Sequence, residues 1–259
     1  MTQVRSLSRQ AFSRGASLVA LSAVALAGGG CATPGPNHVY TASRAQPETI
    51  RDTGPADTVD VPSFTTAEDL LTGLAYDPYT DHLFLRLAPG NRVRVVDRPD
   101  RSIKREFTIP ELAPAGGGDL AVRPRDGHIF FTCPAENFVV ETDRFGKFVR
   151  RLELEGLKGE ATGIAYDAVR DRLLVAVNGA AAELRFYDLS GKLLRSSQLG
   201  FPQVTSLAYD AASREVHAIV PGESAPVVCN EDGNVLRRAP APNPAEFLDL
   251  GQRSFVRVF

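Results

Sequence analysis

Along most of the chain, apolar residues come in short runs broken by polar turns. The stretch from Thr162 to Leu199 shows the unit: Thr162–Tyr166, Leu173–Val177, Leu184–Tyr187 and Leu193–Leu199 are apolar-rich and four to seven residues long. Runs of that length suit strands and are too short for helices. The segment Asp188-Leu189-Ser190-Gly191-Lys192 predicts a tight turn between the third and fourth runs, because Gly tolerates positive φ and Asp and Ser bond to nearby backbone.

The unit recurs. Copies begin at Thr72, Gly117, Thr162 and Thr205, spaced 45, 45 and 43 residues apart. The turn signal aligns in every copy, as Asp97/Asp100, Asp143/Gly146, Asp188/Gly191 and Asn230/Gly233. Four strands per repeat at a period of about 40–50 residues is the mark of β-propeller blades. Each blade is a four-stranded sheet that buries its faces only against neighbouring blades.

A ring must close, and the two chain ends predict how. The segment from Phe247 to Phe259 resembles the first two strands of a unit. Asn37–Ala42 resembles the start of a third strand, and Thr58–Pro62 the end of a fourth. The expectation is an all-β propeller of five blades, one of them composite, over residues 37–259. Six blades is the alternative, but at this period it needs about 260 residues. Arg44–Asp57 reads as a polar loop inside the composite blade, Thr66–Leu71 as one helical turn, Ala113–Gly118 as a flexible connection and Ala239–Pro244 as an extended one.

Residues 1–30 read as an export signal. Arg5, Arg9 and Arg14 precede a 12-residue apolar core, Ala16–Ala27, shorter than the ~20 residues that span a bilayer. Gly28-Gly29-Gly30-Cys31 follows and resembles the bacterial lipobox, which implies acylation of Cys31, with residues 31–36 as a tether. Cleavage after Ala25-Leu26-Ala27 is the alternative. Ala32 rather than Asp after the cysteine implies, by the same resemblance, an outer-membrane lipoprotein facing the periplasm. Without residues 1–30 the chain carries 26 basic and 31 acidic side chains, a net charge of −5. With no basic run, nucleic acid is excluded as a partner. The partners expected are the membrane, through the lipid, and an envelope protein or small ligand.

The candidate chemistry is sparse. Cys133 and Cys229 lie two blades apart and read as buried thiols rather than a disulfide, which needs Cα atoms within ~7 Å. His82 and His128 share a repeat position with Arg172 and Glu215, which reads as a solvated edge. The pairs Tyr76-Asp77, Tyr166-Asp167 and Tyr209-Asp210 recur blade after blade and read as packing and turn chemistry. Acids that break the repeat are more informative. Glu68, Asp69, Asp119, Glu160 and Glu246 lie on connections from a fourth strand to the next first strand, which gather around the axis on one face. Converging carboxylates suit a hard cation such as Ca²⁺. Glu160, Asp119, Glu246 and Asp69 are the candidate ligands, and no residue is singled out as catalytic.

The unit from Thr162 to Arg195 resembles NHL-type repeats, including the gluconolactonase-like propellers, over roughly residues 72–242. Lactonases of that group hold one divalent metal with a Glu at the entrance to a first strand, together with Asn and Asp from other blades. In this chain Glu160 stands at the comparable place. Two functions are therefore expected: an envelope lipoprotein whose propeller serves as a binding or scaffold module, or a lactonase-like, metal-dependent hydrolase. Nothing in the sequence supports a redox or quinone-type enzyme: it has no tryptophan and no cofactor motif.

Overall fold

A computed structural model of the chain describes residues 37–112, 117–239 and 245–253. The export signal, Cys31 and its tether, most of the Ala113–Gly118 and Ala239–Pro244 connections, and Phe255 and Val256 lie outside the described residues. Among the described residues every regular element is a β-strand, and no helix is long and apolar enough to cross a membrane.

Twenty strands form five antiparallel four-stranded sheets. Blade one holds β4 (Leu70–Asp77), β5 (His82–Ala88), β6 (Arg92–Asp97) and β7 (Ser102–Thr108). Blade two holds β8 (Leu120–Arg123), β9 (His128–Thr132), β10 (Phe138–Thr142) and β11 (Phe148–Glu153). Blade three holds β12 (Glu160–Asp167), β13 (Arg172–Asn178), β14 (Glu183–Asp188) and β15 (Leu193–Gln198). Blade four holds β16 (Ser206–Asp210), β17 (Glu215–Ile219), β18 (Val227–Asn230) and β19 (Val235–Arg238). The composite blade runs β20 (Phe247–Gly251), β1 (His38–Ser43), β2 (Gln46–Thr53), β3 (Thr58–Pro62). The architecture is a five-bladed β-propeller.

The composite blade is built differently from the sequence expectation. The C-terminal segment supplies the innermost strand, β20, and β1 takes the second position, pairing from His38↔Gly251 to Ala42↔Phe247. The third strand, β2, comes from the stretch expected to be a loop. Its sequence, QPETIRDT, looks polar because only Ile50 is apolar among its inward positions. The other fully buried residue is Asp52, which is held by His38 (2.7 Å) and Arg253 (3.0 Å). An ion pair thus stands where a hydrophobe was sought. The helical turn at Thr66–Leu71 is a single closed turn, Asp69 N–H to Thr66 O at 3.0 Å, after which β4 starts.

Inner strands are buried along nearly their whole length and mostly apolar because they are covered on both faces, as in β5 and β13. Outer strands such as β7 and β19 are exposed and carry Arg, Lys and Glu. The Asp/Asn-x-x-Gly turns place Gly146, Gly191 and Gly233 at φ of 85–87°, each followed by a register shift in the fourth strand. At Gly191 a second constraint acts, since an added Cβ would run into the Glu153 carbonyl of the preceding blade. Apolar clusters fill the seams between blades. Among the described residues the smallest lies between blade four and the composite blade, with Ala208, Ile219 and Leu248 at its centre.

Candidate functional site

Connections from an outer strand to the next inner strand emerge on one face of the ring, the crossover face. Turns from the innermost to the second strand emerge on the other, the hairpin face. The predicted cation ligands belong to the crossover face, and the structure disperses them. Asp69 is nearly enclosed and lies between Arg92 and Arg94, the latter at 3.1 Å. Against the desolvation of its surroundings, the Thr66 backbone N–H and the two arginines lower its pKa to about 2. Glu246 pairs with Arg44 at 2.9 Å. Glu160 is exposed at the start of β12, opposite Asn178, and Glu68 is exposed in the turn. Among the described residues, no three His, Cys, Asp or Glu side chains group as a metal site.

Asp119 is different. It is wholly buried, and its Oδ2 accepts from the Leu207 N–H at 3.0 Å and more weakly from the Ile164 N–H at 3.4 Å. These donors belong to β16 and β12, so one carboxyl ties blade two to blades three and four beside the axis. Strand register makes Asp119 the counterpart of Gly73, Gly163 and Ser206, and the absence of bulk at those positions leaves room for it. A Cβ at Gly163 would press on Leu207 and Ser206 at 3.0–3.2 Å. The Gly run before Asp119 permits a close approach: a Cβ at Gly118 would sit 2.5 Å from the Thr132 carbonyl. Burial pushes the Asp119 pKa well up, against hydrogen bonds from Leu207 and Ser206, and the charge of Asp249 adds to the rise. Its Oδ1 has no hydrogen-bond partner. The buried Arg86 donates to the Thr132 carbonyl at 2.8 Å rather than to Asp119.

The open space lies on the hairpin face. A funnel of about 430 Å³ enters along the axis, lined by Tyr76, Ala121, Ala165, Tyr166, Tyr209 and Asp249 among others. Pro78, Pro124, Ala168 and Ala211 on the hairpin turns form its rim, and Asn37 and Gln252 stand where a fifth turn would be. Asp249 is half-buried, with Oδ2 accepting from the Tyr76 N–H of blade one at 2.6 Å and Oδ1 from the Leu250 N–H at 2.8 Å. Desolvation raises its pKa to about 7. No lysine, arginine or histidine lines the funnel among the described residues.

Asp249 was missed from sequence, although the signal was present. By register it is the counterpart of Ala75, Ala121, Ala165 and Ala208, so four blades carry Ala where the composite blade carries Asp. The break was hidden because β20 follows a proline-rich segment, without the turns that mark a whole repeat.

The repeated Tyr-Asp pairs divide in role. The aspartates close turns, as Asp77 does by accepting from the Tyr79 N–H (2.9 Å) and the Thr80 hydroxyl (2.7 Å). The tyrosines wall the funnel, with hydroxyls committed elsewhere: Tyr76 to Asp81 (2.8 Å), Tyr166 to Asp171 (2.5 Å) and Tyr209 to Glu231 (2.6 Å). Burial, then the Glu231 hydrogen bond, pushes the Tyr209 pKa up to about 12, so the hydroxyl stays a donor. The position shared by His82, His128, Arg172 and Glu215 is not a solvated edge. Each residue faces an ionisable partner: Asp97 (3.5 Å), Glu141 (2.7 Å), Glu231 (2.7 Å) and Arg237 (2.6 Å), respectively. The residue type varies because its partner varies with it. Cys133 and Cys229 are buried and form no disulfide.

No protein-family model and no curated protein matches the chain. Solved structures do. A chain of a nidogen/laminin complex is 18% identical, with a TM-score of 0.57 over 77% of this chain and 76% of its own length. Myxococcus xanthus glutaminyl cyclase is 15% identical, with a TM-score of 0.51 over 70% and 71%. A Bacteroides caccae protein of unknown function is 17% identical, with a TM-score of 0.50 over 80% and 73%. At these identities the likeness is one of fold, and the fold this chain shares with them is the β-propeller.

Proposed function

We propose that the chain is an envelope lipoprotein whose propeller is a binding module, with the axial funnel on the hairpin face as its ligand site. The funnel carries this reading. It is a concave, mostly apolar site with a single carboxylate at depth, the usual make-up of a small-molecule pocket. The hydrolase alternative draws on Glu160, Asp119, Glu246 and Asp69, and two of these are already neutralised by arginines. The binding reading is favoured for that reason.

By the lipobox resemblance, acylation at Cys31 anchors the protein to the outer membrane, facing the periplasm. Two measurements test the proposal. Cys31→Ser is expected to move the protein from the membrane fraction to a soluble or unprocessed form, and unchanged partitioning would sink the anchor. Ala168→Trp, at the exposed rim, is expected to abolish retention of small molecules by protein purified from envelopes, read by native mass spectrometry. Equal retention by wild type and variant would remove the funnel as the site.

A further inference from the structure

We infer that the funnel takes a small organic cation, an ammonium group on an apolar stem, with the Asp249 carboxylate as its counter-charge. The inference rests on the funnel being the ligand site and adds the class of ligand.

Most other enclosed carboxylates of this protein meet an arginine, while Asp77 accepts from the N–H and hydroxyl groups of its own turn. Asp69 is held by Arg92 and Arg94, Glu141 by Arg123 and Arg150, and Asp167 by Arg172. Glu231 is held by Arg172 and Arg214, and Asp52 by Arg98 and Arg253. An enclosed charge without a partner is costly, so the arginines are a physical necessity. Asp249 breaks the pattern: its described partners are two backbone N–H groups, and neither carries a charge. Of the two acids lining the funnel, Asp210 faces its own turn, accepting from the Ala212 N–H and the Ser213 hydroxyl. Asp249 is left to face the cavity. Behind it Asp119 adds a second carboxyl, wholly buried, with one oxygen unpartnered. The place of the missing counter-ion is open space.

The walls narrow the class further. Tyr76, Tyr166 and Tyr209 donate their hydroxyls to acids, so what they offer the cavity is ring surface, which suits a cation beside an apolar body. The remaining lining is largely Ala, Val, Pro and Leu, which suits an alkyl or aryl stem. A carboxylate or phosphate ligand would meet like charge with no donor cation to receive it. The groups around Asp249 are Asp119 just before β8, Tyr76 on β4, Tyr166 on β12, Tyr209 and Asp210 on β16, and Tyr40 on β1, stacked on Tyr76 at 4.1 Å. None is cationic. Desolvation holds the free Asp249 carboxyl near a pKa of about 7, so an amine must draw it into its ionised form. Affinity for an amine should therefore fall about tenfold for each pH unit below 7.

Calorimetric titration of the purified protein tests this with hexylamine, phenethylamine, N-acetyl-lysine methylamide, hexanol and hexanoate. The expected result is binding of hexylamine and phenethylamine, binding of the lysine derivative no tighter than hexylamine, at least tenfold weaker binding of hexanol and hexanoate, and loss of binding in Ala168→Trp. Asp249→Asn should weaken hexylamine at least tenfold and leave hexanol unchanged. If the lysine derivative binds more tightly than hexylamine, the occupant is a lysine side chain of a partner and the small-molecule source is overturned. If hexanol or hexanoate matches hexylamine and Ala168→Trp abolishes both, the funnel stands as a site and the cationic class falls. If no probe binds, or if binding survives Ala168→Trp, the funnel reading falls with it. Should Asp249→Asn fail to fold, the wild-type pH profile decides, and hexylamine affinity that is flat between pH 5 and 8 overturns the role of Asp249.

Discussion

Asp69 and Asp249 are carboxylates on opposite faces of the propeller, and their surroundings are opposite. Asp69 sits between two arginines that, with a backbone N–H, bring its pKa to about 2. Asp249 has two backbone donors and no cation, and desolvation raises its pKa to about 7. On the crossover face, Asp69 and Glu246 are committed to internal ion pairs. The hairpin face keeps one carboxylate in reserve, at the bottom of an open funnel. What separates a structural carboxylate from an available one here is whether an arginine of the same fold has reached it.

The comparison can be broken at several points. The largest effect should come from ending the chain after Ala239, which removes β20 with Asp249 and the closing core residues Phe247 and Leu248. The composite blade then loses its innermost strand and exposes an unpaired edge. No cooperative melt is expected by circular dichroism, and an unchanged melting curve would refute the closure.

Next come the two kinds of acid. Glu231 belongs to the structural kind: against the desolvation of burial, hydrogen bonds from Arg214 and Tyr209 bring its pKa to about 2. Glu231→Gln leaves Arg172 and Arg214 without their carboxylate, at a cost of about 3 kcal/mol by denaturant unfolding. Asp249→Asn removes no ion pair and keeps an acceptor for one of its two donors, so about 1 kcal/mol is expected. Equal losses would erase the distinction.

A sharper version uses pH, because the signs differ. The folded pKa of Asp249 lies above its ordinary value of 3.8, so its contribution to stability is present at low pH and is lost as pH rises to about 7. Glu231 is lowered from 4.5 to about 2, so its contribution is present above 4.5 and is lost as pH falls through that range. Thermal melts against pH should show the decline between pH 4 and 7 reduced in Asp249→Asn, and the acid-side decline reduced in Glu231→Gln.

The smallest effect concerns the cation expected on the crossover face. With Asp69 and Glu246 already paired, millimolar calcium should move the melting temperature by less than about 1 °C. A larger rise that vanishes in a Glu160→Gln, Asp119→Asn double variant would restore the cation site.

The repeat period, the Asp-x-x-Gly turns and the composite closure were legible because they are local: short apolar runs and turn residues act through neighbours in the chain. From them the sequence determined a five-bladed ring, and it marked Asp119 as unusual. It misjudged β2, where Asp52 occupies an interior place only because His38 and Arg253 meet it there. It looked to the crossover face for a cation site for the same reason, because the pairing of those acids could not be read. Whether Asp69 is free depends on Arg92 and Arg94, and whether Asp249 is free depends on all the side chains around the funnel. Those partners lie on other strands and other blades. Backbone pattern sets which residues reach the axis, but the charge left uncompensated there is a sum over long-range contacts, and only the tertiary structure performs it.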